Sequence, residues 1–385
     1  MNVNEELIRY VEREILPRYD AFDRAHRRDH ALTVIAASLR LARYYEVNPD
    51  MVYAVAAYHD TGLREGRERH HEASARIVRG DRNLRRWFTE AEVATIAEAA
   101  ERIKAYNEGK EVDHIPYTLQ APDPAMADIF GFTTSQFAKD FEVKSEVIRR
   151  RKEEFGLDSF NVGLGLRTIG VALGSKLGVP EHGIDYIEHH VLQDYADFDK
   201  LEVTDPYKNP VLAPILESAK RLKERFPDVS MTTSVAGPIS TAIAVRPVEK
   251  VLRDTRKNPE MLHKLLDLTV VCSLKWFEAF YHEFGSVGTN FSDPVTCMDV
   301  ISKKQFDEFS LPYIKKLIDG TEKIMGSRPG AHICGKTSPI WSDLADAGLF
   351  SFSIDNCEDL EFAKREVGDR MRFAGNVPPG VGNCC

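Results

Sequence analysis

The sequence predicts an α/β protein, a (β/α)₈ barrel of the TIM type lacking its last strand, preceded by an all-α region. Three observations lead there. Residues 3–102 carry helical apolar spacing, and nothing in them reads as a strand. Beyond residue 107, short apolar runs alternate with long helical stretches, the pattern of a parallel sheet with its helices outside. Turn-forming and metal-binding residue types gather at the ends of successive runs, as they do at the C-terminal mouth of such a barrel. The expected division is residues 1–100 for the helical region and 101–385 for the barrel.

Each element has its own signal. "HALTVIAASLRLARYY" and "PDMVYAVAAYHDTG" repeat apolar residues at helical spacing, and the Asn48-Pro49 step between them ends one helix and starts the next. "HHEASARIVRG" and "TEAEVATIAEAAERIKAY" continue the pattern, the second opened by Thr89 as N-cap. The expected strands are 114–120, 158–164, 229–237, 287–293, 329–335, 349–355 and 371–377. Helical patterns such as "PEMLHKLLDLTVVCSLKWFEAFYHEFG" and "KKQFDEFSLPYIKKLIDGTEKIMG" fill the gaps. That makes seven strands, so the barrel is expected to stay open between its first and seventh.

Composition narrows the function classes. Of the 385 residues, 43% are apolar and 29% charged, which suits a globular domain. A net charge of −9 argues against nucleic acid and anionic membrane surfaces as partners. The charged, amphipathic start "MNVNEELIRYVERE" is no signal peptide, and no apolar run nears the length of a membrane span. Six cysteines, at 272, 297, 334, 357, 384 and 385, lie in the C-terminal half and read as reduced thiols of a cytoplasmic enzyme.

The segment "RPGAHICGKTSPIW" carries the chemistry. His332 and Cys334 stand two apart, so an extended backbone points both to one face. Imidazole nitrogen and thiolate sulfur are good Zn²⁺ ligands; a buried Cys beside a core His is the alternative. Asp293 and Asp355, read as ending neighbouring strands, would orient metal ligands or substrate, or else cap the helices that follow. Gly375-Asn376 ends the last run, placed for substrate contact or for turn geometry. Cys272 and Cys297 read as packing residues.

The order of these motifs resembles the uroporphyrinogen decarboxylase superfamily. It is carried by "RIKAYNEGKEVDHIPY", "EEFGLDSFNVG", "AGPIS", "NFSDPVT", "HICGKT", "SFSIDNCEDL" and "AGNVPP", from about residue 101 to the end. "HICGKT" is most similar to the cobamide-dependent branch, which includes methylcobamide:coenzyme M methyltransferases. The resemblance implies a zinc site on His332 and Cys334, with a second cysteine from the last strand. It further implies methyl transfer from a methylated corrinoid, free or on a corrinoid protein, to a small thiol. Because that strand falls beyond residue 385, Cys357, Cys384 or Cys385 would have to supply the third ligand, and activity is expected to be impaired. From the seventh strand, about eight extended residues reach roughly 25 Å. Porphyrinogen decarboxylation is less similar, because "APDPAMADIFG" lacks the arginines and "GLGLRTIG" the carboxylate that it uses.

In the helical region, His30 and His59-Asp60 resemble the HD superfamily of metal-dependent phosphohydrolases. This implies a divalent metal on His30, His59 and Asp60, with His70 and His71 toward substrate. The final Asp of the pattern is missing, so the unit reads as truncated. Besides methyl transfer, the alternatives are therefore decarboxylation, an HD-type phosphohydrolase, and an inactive fragment.

Overall fold

A computed structural model describes residues 3–22, 27–42, 47–65, 70–97, 123–155, 159–178, 185–227 and 229–376. The chain forms two compact units, Met1–Asp158 and Ser159–Cys385.

In the first unit the described residues are helical, with no strand. The helices Glu5–Glu14, Arg28–Ala42, Pro49–Tyr58 and His70–Gly80 are joined by a further helical turn pattern at 90–97. Asn48 caps the third of these, its side chain accepting the Asp50 N–H, while Pro49 occupies the first turn where no amide partner is needed. Thr89 caps as expected: its hydroxyl accepts the Glu92 N–H, and Glu92 returns an acceptor to the Thr89 N–H. Leu7, Val11, Tyr19, Ala54, Ala57 and Leu84 form the buried centre. A smaller cluster of Met126, Ala127, Phe130 and Val147 joins helices Asp123–Ile129 and Phe141–Phe155.

The second unit is built on a parallel sheet of β1 (Ser159–Gly163), β4 (Ser230–Ala236), β5 (Gly288–Ser292), β6 (Gly330–His332), β7 (Ser351–Ser353) and β8 (Arg372–Ala374), in that order. Helices connect these strands, so consecutive parallel strands lie side by side, as a TIM-type barrel requires. The expected strand 114–120 lies outside the described residues; the other six expected strands are all present. A hairpin of β2 (Lys176–Gly178) and β3 (Tyr186–His189) was not anticipated, because these short segments lack an alternating apolar pattern.

The register aligns the strand ends. Ala236, Ser292, His332, Ser353 and Ala374 form one row across five strands, so residues just beyond that row share one rim. Behind the sheet runs the long helix Pro259–Phe284, whose Trp276 is fully buried. Its Nε1–H donates to Thr233 Oγ1 at 2.9 Å, and that hydroxyl donates to Val162 O at 2.8 Å, tying helix, β4 and β1 together. The pattern 303–326 is helical with a π turn at Phe306–Ser310, just before Pro312, whose missing N–H disrupts regular α pairing. Among the described residues, no helix is long and apolar enough to cross a membrane.

Candidate metal centre at the barrel mouth

His332 is the last residue of β6, and Cys334 lies just beyond it. His332 Nε2 and Cys334 Sγ are 3.1 Å apart, so the two side chains converge. His332 Nδ1 lies 3.0 Å from Ser353 O, a carbonyl that can only accept. The neutral ring therefore carries its proton on Nδ1 and presents the Nε2 lone pair toward the sulfur. This is the tautomer a metal-binding imidazole needs, fixed by a neighbouring backbone group.

The thiol is held protonated in the absence of a metal. Burial pushes the Cys334 pKa up, and the nearby Asp355 carboxylate pushes it further. In metal-free protein, alkylation of Cys334 by iodoacetamide should therefore keep climbing past about pH 8.5, the ordinary thiol value. Zinc should suppress the reaction. A rate already level at neutral pH would show a thiolate that this environment does not favour.

Asp355 turns toward the backbone. Its Oδ2 accepts the Gly335 N–H at 2.9 Å and its Oδ1 the Cys357 N–H at 3.1 Å. These bonds hold the Asp355 pKa below the usual carboxylate value. Asp355 thus pins the turn after Cys334, where Gly335 has φ +75°. A side chain there would be strained, and its Cβ would stand 2.7 Å from Asp299 Oδ2.

The Asp293 carboxylate is engaged by backbone amides. Asp293 is fully buried, and its carboxylate accepts the Ser240 N–H at 2.8 Å and the Ile239 N–H at 3.4 Å. It therefore caps helix Pro238–Val245, which follows β4, and not the segment that follows its own strand. Burial pushes its pKa up despite those bonds. Nor do Asp293 and Asp355 end neighbouring strands, because β6 lies between β5 and β7. Gly237 makes the cap fit: a Cβ there would stand 2.4 Å from Asp293 Cβ.

Cys357 is exposed. Among the described residues, no third His, Cys, Asp or Glu donor groups with His332 and Cys334 within 4.8 Å. Cys384 and Cys385 lie outside the described residues. Asn376 braces the loops, its Nδ2–H donating to Glu358 O at 2.6 Å, and Gly375 has φ +119°. Cys272 and Cys297 are buried, as expected of packing residues. Ser353, which fixes the histidine tautomer, was missed; its only sequence signal is its position two residues before Asp355.

In the first unit, His30, His59 and Asp60 come together, as their spacing suggested. His59 Nε2 is 3.3 Å from His30 Nε2 and 3.1 Å from Asp60 Oδ2. His59 Nδ1–H donates to Ala56 O at 2.8 Å, which turns Nε2 toward His30 and Asp60. Burial lowers the His59 pKa, but the hydrogen bond and charge of Asp60 outweigh it and raise the value overall. Tyr19 OH accepts the Asp60 N–H at 3.3 Å. His70 and His71 sit at the start of helix His70–Gly80.

A family model described as Uroporphyrinogen decarboxylase (URO-D) matches residues 98–381. A methylcobamide:CoM methyltransferase, MtaA, from Methanosarcina barkeri is 24% identical over 281 residues, covering 72% of this chain and 81% of that protein. A uroporphyrinogen decarboxylase from Dechloromonas aromatica is 25% identical, covering 61% of this chain and 67% of its own. The solved structure of a methyltransferase from Methanosarcina mazei superposes with a TM-score of 0.62 at 23% identity, covering 72% of this chain and 82% of its own.

Proposed function

The chain belongs to the uroporphyrinogen decarboxylase family, and from that premise we propose that its barrel moves a methyl group from a methylated corrinoid to a small thiol, with zinc held by His332 and Cys334. The observation that carries this reading is the His332 Nε2–Cys334 Sγ pair at 3.1 Å, with the ring's other nitrogen committed to Ser353 O. A mixed N and S donor set with a preset tautomer suits zinc, and Cys357, Cys384 or Cys385 would have to supply the third protein ligand that a catalytic site takes. The methyltransferase relatives support the same reaction class.

Zinc, when bound, lowers the pKa of a coordinated thiol so that a thiolate is present at neutral pH. The chain's own residues prepare that event. His332 would hold the metal through Nε2 and Cys334 through a thiolate formed by loss of its proton, while Asp355 fixes the turn that carries Cys334. The acceptor thiolate then attacks the methyl carbon. Transfer to that thiolate would give a thioether and leave the electron pair of the broken methyl bond with the corrinoid donor.

A second reading rests on its own observation, the His30–His59–Asp60 cluster of ligand atoms in the first unit. Such a trio suits a divalent metal that activates water against a phosphoryl group. One experiment separates the readings. Purified protein is analysed for metal and given methylcobalamin with a thiol, uroporphyrinogen, or a phosphomonoester. Zinc together with thioether formation is the expected result. Coproporphyrinogen, phosphate release, or no metal and no turnover would each point to one of the alternatives: decarboxylation, the second reading, or an inactive fragment.

A further inference from the structure

The ligand atoms of the cluster in the first unit already stand at the spacing a metal imposes. His59 Nε2 is 3.3 Å from His30 Nε2 and 3.1 Å from Asp60 Oδ2, and His30 Nε2 is 3.7 Å from Asp60 Oδ2. Bonds of about 2.0–2.2 Å at near-tetrahedral angles put neighbouring ligand atoms about 3.3–3.6 Å apart. Two of the three groups, His59 and Asp60, lie just past the end of helix Pro49–Tyr58, where the backbone runs out of regular partners.

Side chains take over there. Ala56 O accepts His59 Nδ1–H at 2.8 Å, Ala57 O accepts the Tyr19 hydroxyl at 3.0 Å, and Tyr58 O accepts the Thr61 hydroxyl at 2.8 Å. Tyr19 does more than cap. Its oxygen also accepts the Asp60 N–H at 3.3 Å, so one hydroxyl grips the chain on both sides of His59. Its ring lies beside the His59 imidazole, with centroids 6.2 Å apart. Tyr19 is wholly buried and belongs to the helical turn Leu16–Ala21, so it reaches these groups from a separate element of the same unit.

We infer that Tyr19 is a positioning residue for the metal cluster: by fixing the main chain before and after His59, it sets the directions in which His59 and Asp60 leave the chain, and with them the affinity for a divalent ion. The inference rests on the metal of the second reading and is independent of its phosphoryl chemistry. Both bonds to the Tyr19 hydroxyl are made to main chain, so losing them loosens the dihedrals that carry two ligands at once. Thr61 is the natural comparison. It is 2% exposed, and its hydroxyl caps the same helix end through the Tyr58 carbonyl without touching His59 or Asp60.

The test titrates Co²⁺ into the full chain carrying Cys334→Ala, which removes the sulfur of the barrel pair, and reads the visible absorption of the ion on nitrogen and oxygen ligands. Adding His59→Ala gives the signal to subtract. Tyr19→Phe is expected to weaken Co²⁺ binding at least about tenfold, the lower end of what losing a group behind the ligands costs. Thr61→Val should weaken it less than about threefold. Each variant gives up one buried capping bond, so a purely structural role would move both alike. Where Tyr19→Phe fails to fold, the Cys334→Ala chain itself answers: zinc should slow hydrogen exchange of the Asp60 amide at least about tenfold, because coupling between that bond and the metal is reciprocal. Unchanged Co²⁺ affinity in Tyr19→Phe, equal losses in Tyr19→Phe and Thr61→Val, or Asp60 exchange indifferent to zinc overturns the inference and leaves the second reading untouched. Metal that binds through Tyr19 without phosphate release from a phosphomonoester refutes the second reading and leaves the inference in place. No Co²⁺ signal beyond that of His59→Ala overturns both.

Discussion

His332→Ala and Cys334→Ala proteins are expected to fold normally, to lose the barrel zinc, and to methylate thiols at least about 100-fold more slowly than the parent. The bound is conservative, because even removing a group behind a metal ligand typically costs about 10–100-fold. Cys334 is exposed and His332 half-buried, so neither change leaves a large hole in the core. The losses should therefore appear in metal content and turnover, with the thermal midpoint little changed. Zinc is best counted in a His59→Ala background, so that metal on the His30–His59–Asp60 cluster does not enter the total. Undiminished zinc and turnover in Cys334→Ala would place the chemistry elsewhere.

The largest stability effect is expected at Arg246, which is 6% exposed and pairs with Asp254, itself 2% exposed. Arg246 Nε donates to Asp254 Oδ2 at 2.7 Å, and its Nη1 donates to Gln193 O at 2.9 Å. The guanidinium also lies 4.2 Å over the Tyr195 ring. Replacing it with alanine leaves a buried carboxylate without its cation, and breaking such a pair costs about 3–5 kcal/mol. The double variant Arg246→Met/Asp254→Leu removes both charges and their desolvation together, and is expected to recover most of that loss. Urea denaturation of the three proteins reads the difference directly. A loss below about 1 kcal/mol in Arg246→Ala would class the pair with exposed salt bridges.

Much of this was legible from the chain. The shift from helical spacing to alternating strands and helices gave the fold class, because period and length are local properties. The i, i+2 spacing of His332 and Cys334 and the glycine after them gave the pair, because strand geometry is local too. Three things were not legible, each for a three-dimensional reason. Asp293 caps a helix that begins 55 residues earlier in the sequence, a contact that exists only once β4 and β5 are paired. Ser353 orients His332 across the register of β6 and β7, which single-chain spacing does not reveal. The hairpin's strands are three and four residues long and mostly exposed, so burial wrote no pattern into them. His30 was legible 29 residues ahead of His59, because each histidine keeps its place on a regular helix or at its end.

Asp293 has one more consequence, which concerns how the rim breathes. Its own N–H is bonded to the His332 carbonyl, and its carboxylate holds the first amides of helix Pro238–Val245. A fluctuation that lifts that helix must either expose a carboxylate that burial has kept from water or drag β5 away from β6. Both routes are steep, so small local openings are suppressed in favour of larger cooperative ones. The parts of the rim that meet at Asp293 are therefore expected to open together, with matching hydrogen-exchange rates for the Ile239, Ser240 and Asp293 amides.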